Sequence, residues 1–438
     1  MFAIITPVHM HRSDFLLEAY QSLCRQTRGD WRWYILLNGN AATWPLSSIH
    51  EAIKSDTRVH IEEAWGLGYE PTVGALKQDL CEISKEPYIV ELDYDDMLEP
   101  TALAFIGRAF EEGADFVYSD FAEFRTKPNP ATGQIERVPN EPYGAQYGWR
   151  AYHHIDADGN DLLAMEAPPV TPQNLRLVEW APNHVRSWTR ELYKRVGGHD
   201  PKLDLADDHD LVVRMYLVGA KMVHINECLY LYRVHTRNTT ATKNKNIRES
   251  TWKVYDRHIT QLAERFAYDT QTMKVDLCGG QHRFRDYFAL DRRFPEAQGG
   301  AGAQLVCDLN ERWPLDDNSV GVLRAADALE HLRDPIHTMS EAFRVLRPGG
   351  FFLTATPSSN GKGAFCDPTH VSFWNDLSFR YYSDPEHAAS IDFKGRFQLI
   401  KNVEYFTTEW HKQNNMPYVE AHLIKLGDGY TPMGVAWR

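Results

Sequence analysis

Over residues 1–120, short apolar runs alternate with amphipathic stretches. Phe2-Ala3-Ile4-Ile5 reads as a strand, and residues 14–26 put Phe15, Leu16, Ala19 and Leu23 on one helical face. A second strand over 33–37 closes on Asn38-Gly39-Asn40. A helix near 47–54, a strand at Val59-His60-Ile61, a helix over 72–84 and the strand Tyr88-Ile89-Val90 follow. This βαβα rhythm predicts an α/β domain with a mostly parallel sheet, whose ligands would bind beyond the carboxyl ends of its strands. Asn38 and Asp93 both fall at such ends.

The pattern then changes. Residues 125–175 are rich in Pro, Gly and aromatics (Pro128, Tyr143, Tyr147, Trp149, Tyr152) and show little periodicity. A stretch this long is read either as an aromatic wall for sugar rings or as an irregular extension packed on the core. From Asn246 the pattern is helical and mixed in charge, and a new alternating run opens at Met273-Lys274-Val275-Asp276-Leu277. The expected organisation is a first domain over 1–245, a helical linker over 246–272 and a second domain over 273–438.

At 438 residues the length suits two domains, and 43% hydrophobic with 24% charged residues is an ordinary globular composition. No apolar run approaches a membrane span, and the chain enters a strand at once with no leader pattern. Six scattered cysteines without paired spacing suggest reduced thiols and a cytoplasmic protein. A net charge of −13 argues against tight nucleic-acid binding. A local basic groove around Arg186, Arg190, Lys194 and Arg195 would argue the other way.

The most informative segment is Glu91-Leu92-Asp93-Tyr94-Asp95-Asp96. Carboxylates this crowded repel unless a cation lies among them, and a divalent ion also holds the phosphates of a nucleotide. The alternative is an acidic cap for the helix near Pro100. Asp207-Asp208 likewise read as a helix N-cap before the apolar run 211–217 or as functional acids.

Several ordered motifs resemble the family 2 glycosyltransferases of GT-A (nucleotide-diphospho-sugar transferase) fold. They are Ile4-Ile5-Thr6-Pro7-Val8-His9, Ser22-Leu23-Cys24-Arg25-Gln26-Thr27, Leu92-Asp93-Tyr94-Asp95-Asp96, Val196-Gly197-Gly198-His199-Asp200, Asp207-Asp208-His209-Asp210-Leu211 and Leu229-Tyr230-Leu231-Tyr232-Arg233-Val234-His235. The resemblance implies inverting sugar transfer from a nucleotide-sugar, a UDP-sugar by preference, to a glycan hydroxyl with Mn²⁺ or Mg²⁺. Asp95, then Asp96 and Asp93, would hold the metal, and His235 would join them or touch the diphosphate. Thr6, Pro7, His9, Asn38, Asp93 and Tyr94 would line the nucleotide-sugar. Asp208, with Asp207 behind it, would be the base, and Trp180, Asn183, His184 and Arg186 would meet the acceptor or donor sugar. Asn38-Gly39 departs from the acidic pair usual there, and Val73-Gly74 from the usual Arg-Asn.

In the second domain, Ala328-Leu329-Glu330-His331-Leu332, Arg344-Val345-Leu346-Arg347-Pro348-Gly349-Gly350 and Asp367-Pro368-Thr369-His370-Val371 resemble a subgroup of class I S-adenosylmethionine-dependent methyltransferases, a Rossmann-like fold. The resemblance implies S-adenosylmethionine (SAM) binding by Asp276, Gly279, Gly280, Asp291, Asp308 and Leu309. Glycines allow close backbone approach, and an acid at the end of the second strand suits ribose hydroxyls. Only a short loop separates Gly280 from Asp291, too little for a full helix. Two outcomes stay open: a working methyltransferase that modifies the sugar or its acceptor, or a non-catalytic accessory module.

Overall fold

The computed structural model describes residues 1–9, 13–38, 49–64, 71–128, 130, 133, 135–141, 149–176, 184–236, 238–279, 284, 286–292 and 304–427. The chain divides into two compact units, Met1–His258 and Ile259–Arg438.

In the first unit, β1 (Phe2–His9), β2 (Trp31–Asn38), β3 (Val59–Glu63) and β4 (Tyr88–Glu91) form the parallel sheet expected from the alternation. The order is β3-β2-β1-β4, and it continues through β10 (Ser187–Thr189), β6 (Phe116–Pro128), β11 (Met222–Arg233) and β5 (Met97–Leu98). β10 runs antiparallel to both neighbours, whereas β6 and β11 are parallel. Side chains of β1 and β2 are almost wholly buried (Phe2, Ile4, Trp33, Ile35), as expected of strands covered on both faces.

The aperiodic stretch contains structure that its composition hid. β7 (Ile135–Pro139) pairs with β6, and β8 (Ala151–Ile155) with β9 (Asp161–Met165), which also joins β6. Trp149 packs edge-on against Phe121 in the core, and the Tyr152 hydroxyl donates to Asp120 at 2.9 Å. Trp149 is buried in support of the extension, whereas Tyr152 stays exposed; Tyr143 and Tyr147 lie outside the described residues.

A helix runs over Thr239–Asp269, with a break at Lys243 (φ −123°), and the division between the units falls within it. The segment expected as a helical linker over 246–272 is helical as far as Asp269. Arg257 and His258 both donate to buried Asp210 at 3.0 Å, tying the helix to the Asp207–Leu217 helix of the first unit.

The second unit is a seven-stranded sheet among the described residues, ordered β14-β13-β12-β15-β16-β18-β17. The strands are β12 (Met273–Leu277), β13 (Phe288–Asp291), β14 (Gln304–Val306), β15 (Val320–Ala326), β16 (Leu346–Pro357), β17 (Phe397–Tyr405) and β18 (Tyr418–Lys425). Only β18 runs antiparallel to its neighbours. The order reverses between β12 and β15, which opens a crevice at their carboxyl ends. Between β12 and β13 the described residues contain no helix, in line with the short spacing. No helix among the described residues is long and apolar enough to cross a membrane.

Candidate functional site

The acidic segment leaves the sheet where β4 ends. Leu92 is fully buried, its N–H donates to the Ile5 carbonyl at 3.2 Å, and its own carbonyl accepts from Thr6 Oγ1 at 2.6 Å. Past this plug the chain turns, with Asp96 N–H donating to the Asp93 carbonyl at 3.2 Å, and Met97–Leu98 pairs with β11. That pairing brings Tyr230, Arg233 and His235 against the acids.

Each acid has a different environment. Asp96 is buried and both oxygens are occupied: Tyr230 Oη donates to one at 2.9 Å and Arg233 N–H to the other at 2.7 Å. Burial, then the Asp95 and Asp93 carboxylates, pushes its carboxyl well above the usual range. Asp95 Oδ2 lies 2.8 Å from His235 Nε2. The Asp93 carboxylate has no hydrogen bond among the described residues, and burial raises it to about 6 against the pull of Lys77. Ligand atoms of Asp93, Asp96 and His184 lie within 4.8 Å of one another. His184 stacks on Tyr230 at 4.3 Å, and burial holds its pKa well below the usual imidazole value, so it is neutral. Its Nδ1 is buried with no hydrogen-bond partner among the described residues. Crowded carboxylates beside neutral imidazole, one acid lacking any donor, form a donor set that fits a divalent cation.

Behind the acids lies a buried ion network. Lys77, from the Val73–Ile83 helix, sits 3.2 Å from Glu91 and 3.1 Å from Asp207. Arg186 Nε donates to Glu91 at 2.7 Å, and Arg186 Nη1 donates to Asp208 at 2.6 Å. His199 Nε2 lies 3.5 Å from Glu91. Burial opposes ionisation of Glu91, but Lys77 and Arg186 overcome it and hold the carboxyl well below its usual value. The same balance, with Arg186 dominant among the cations, keeps Asp208 ionised well below the carboxylate range. Asp207 goes the other way: its burial outweighs Lys77, and its carboxyl is raised.

Local backbone chemistry sets this arrangement. Thr72 caps the Val73–Ile83 helix by accepting from Ala75 N–H at 3.1 Å, and its hydroxyl donates to the Pro201 carbonyl at 2.7 Å. A Cβ on Gly74 would stand 2.4 Å from the Asp200 carbonyl oxygen, so only glycine permits this approach. The docked 200–203 turn leads through Ala206, in the left-handed region at φ 59°, into a helix that begins at Asp207. Asp207 and Asp208 therefore occupy the first turn, and Ala206, with no capping side chain, takes the cap position expected for them. The Asp207 side chain is 6% exposed and that of Asp208 30%, so Asp208 alone faces outward.

The other sequence candidates divide sharply. Thr6 is fully buried, its hydroxyl bonded to Leu92 and accepting from Trp33 Nε1 at 2.8 Å, which makes it a brace between strands. Asn38 is buried at the end of β2, in register with His9. Pro7 is half-buried on β1, Tyr94 packs partly on the core, and the His9 side chain lies outside the described residues. Trp180 and Asn183 also lie outside them. Arg186 is an internal cation, and Arg190 donates to the Cys81 and Glu86 carbonyls at 2.6 and 2.7 Å, so these two do not build a basic groove. Glu91, His199 and Tyr230 stand in the quoted motifs without an expected role, and Lys77 stands in none of them. Lys77 carried a signal: it shares a helical face with Gly74 and Cys81, all buried.

In the second unit, Asp276 is buried and accepts from Phe284 N–H at 3.0 Å, and burial raises its carboxyl. Cys278 takes φ 54° and donates to the Leu290 carbonyl at 2.8 Å, placing Gly279 beside the end of β13. Asp291 is half-buried at that strand end. Asp308 accepts from both the backbone and side-chain nitrogens of Asn310, and Leu309 is in the core. Gly280 lies outside the described residues.

Residues 258–354 match the family model described as a methyltransferase domain. A 62-residue stretch is 46% identical to a Mycolicibacterium smegmatis protein named "Probable S-adenosylmethionine-dependent methyltransferase", covering 13% of this chain and 24% of that protein. A 241-residue stretch is 24% identical to the O-antigen biosynthesis protein RfbC of Myxococcus xanthus, covering 55% of this chain and 16% of that protein. The chain thus spans less than a quarter of either relative. The S. aureus TarS structure in complex with UDP superposes with a TM-score of 0.40 at 14% identity, over 61% of this chain and 65% of that chain, too low a score to define a shared fold. The second unit is a methyltransferase-like, Rossmann-type α/β domain, separate from the α/β unit that carries the acidic site.

Proposed function

We propose that the first unit is an inverting, metal-dependent glycosyltransferase of GT-A type, and that the second methylates the transferred sugar or its acceptor with S-adenosylmethionine. The observation that carries the first half is the pairing of Arg186 with Asp208: an outward-facing carboxylate is held ionised by a guanidinium whose charge also acts on Asp93. Asp208 takes the proton of the acceptor hydroxyl as its oxygen attacks the anomeric carbon. The bond from that carbon to the diphosphate oxygen breaks on the opposite face, and the nucleoside diphosphate leaves. A carboxylate of such low pKa is a weak base, so proton transfer must accompany the attack and not precede it. Asp95 and His235 would hold Mn²⁺ or Mg²⁺, with Asp93 facing ion or ribose; the ion supplies charge stabilisation for the departing diphosphate. Asp207 stays inside, fixing Lys77, and serves as a positioning residue.

For the second half, Gly279 and Asp291 at the crevice between β12 and β15 would take the cofactor, with Asp291 accepting from ribose hydroxyls. Methyl transfer needs chiefly alignment of an oxygen with the sulfonium carbon. Titration of S-adenosylhomocysteine into the full chain by calorimetry tests this. Binding in the micromolar range that is lost in Asp291→Ala is expected. A folded protein without binding would make the second unit an accessory module, a reading favoured by the commitment of the Asp276 carboxylate to the Phe284 backbone.

A further inference from the structure

Three side chains off the carboxyl end of β15 are not used by either activity. Glu330 and His331 sit in the short turn Leu329–His331, and His370 comes from the loop after the Gly363–Cys366 turn. Each offers one ligand atom, and the three atoms lie within 4.8 Å of one another. The His331 and His370 rings stand 5.1 Å apart and inclined at 71°, so they are not a stacked pair.

Hydrogen-bond accounting fixes both imidazoles. His370 Nδ1 lies 3.0 Å from the Ala364 carbonyl, which can only accept, so Nδ1 carries the proton. His331 Nδ1 lies 3.2 Å from both the carbonyl and the hydroxyl of Thr369. The single proton of that hydroxyl is directed to Asp367 at 2.7 Å, so Nδ1 of His331 must donate as well. Both rings therefore keep the Nε2 lone pair, in the orientation that a backbone carbonyl imposes on metal-ligating histidines. The third ligand is braced in the same way: Glu330 is buried, and the Thr356 hydroxyl donates to one of its oxygens at 2.6 Å.

We propose that Glu330, His331 and His370 form a second metal site, which takes a divalent ion of the zinc–cobalt class and leaves coordination positions open. Two neutral imidazoles with one carboxylate suit such borderline ions better than Mg²⁺ or Ca²⁺, which prefer all-oxygen shells. The site lies at the reversal of strand order, where ligands of such sheets bind. Glu330 faces the same crevice as the cofactor loop: after burial, the carboxylates of Asp291, Glu330 and Asp276 push the Cys278 thiol up, to about 12. The open positions would receive oxygen atoms of the methyl acceptor. That last assignment rests on the methyl-transfer reading; the binding of the ion does not.

The test is a Co²⁺ titration of the full chain, followed by its visible d–d absorption. An Asp93→Ala/Asp95→Ala/His235→Asn background breaks both candidate ligand sets of the first unit, Asp95 with His235 and Asp93 with Asp96 and His184, as the source of the band. One equivalent with a band that survives in that background is expected, weakened at least about tenfold by His331→Asn and by His370→Asn. A band indifferent to both substitutions, or no band in the folded protein, overturns the proposal. Should either variant lose its native circular dichroism, zinc protection of His370 against diethyl pyrocarbonate in the unmutated chain replaces it. Protection is expected, and an unchanged modification rate overturns the site. S-adenosylhomocysteine binding, measured separately, does not enter this result.

Discussion

Replacing Lys77 by Met is expected to destabilise the first unit by about 3–5 kcal/mol, the usual loss when one partner is removed from a buried ion pair. Lys77 is buried between Glu91 and Asp207, at 3.2 and 3.1 Å. Without it Glu91 and Asp208 would keep Arg186, and Asp207 would lose its ammonium partner. Methionine keeps the packing volume of the stem, which isolates the charge. Urea unfolding of the full chain at neutral pH measures the effect as an earlier first-unit transition. The double variant Lys77→Met/Asp207→Asn should recover part of the loss, because Glu91 and Asp208 keep Arg186 while Asp207 relied on Lys77. A change below about 1 kcal/mol, typical of solvent-exposed pairs, would mean that the network does not hold the site.

Asp208→Asn is expected to lower sugar transfer by about 10²–10⁴-fold, the contribution of a positioned general base. The stability change should be much smaller than for Lys77→Met, since the side chain is 30% exposed and Arg186 keeps its contact with Glu91. Nucleoside diphosphate release from a panel of UDP-sugars gives the rate, and nucleotide affinity should stay close to that of the unmutated chain. The expected signature is therefore a loss in kcat with KM nearly unchanged. Asp207→Asn should instead disturb stability first, through Lys77. If Asp207→Asn abolished turnover in a folded protein while Asp208→Asn left it intact, the roles assigned here would be reversed.

Much of the fold was legible because its cause is local. Burial on both faces makes β1, β2 and β4 continuous apolar runs, and the helices between them keep a regular apolar stripe, so alternation alone places the first four strands. The 125–175 region was not legible: β7 and β8 are short, mostly exposed strands, and the pairing of β7 and β9 with β6 and of β8 with β9 is fixed by contacts between strands, not by period. The site shows the same split. Asp93, Asp95 and His235 stand in motifs, and the structure brings Asp95 and His235 to 2.8 Å. The family resemblance places Arg186 at the acceptor or donor sugar. Its true setting depends on Glu91 and Asp208, which are distant in sequence and adjacent in space. Thr6 lies inside β1, where its hydroxyl bonds to the Leu92 carbonyl just past β4, a long-range contact that the sequence does not show.

Whether the acidic turn binds a nucleoside diphosphate through a divalent ion decides the function of the first unit. UDP titrated into the full chain by calorimetry, with and without Mn²⁺, decides it when repeated on Asp95→Ala. Binding that requires the ion and weakens at least about tenfold in the variant is the predicted result. A folded protein that ignores UDP, or binds it equally well without Mn²⁺ and without the Asp95 carboxylate, would contradict the assignment of this site.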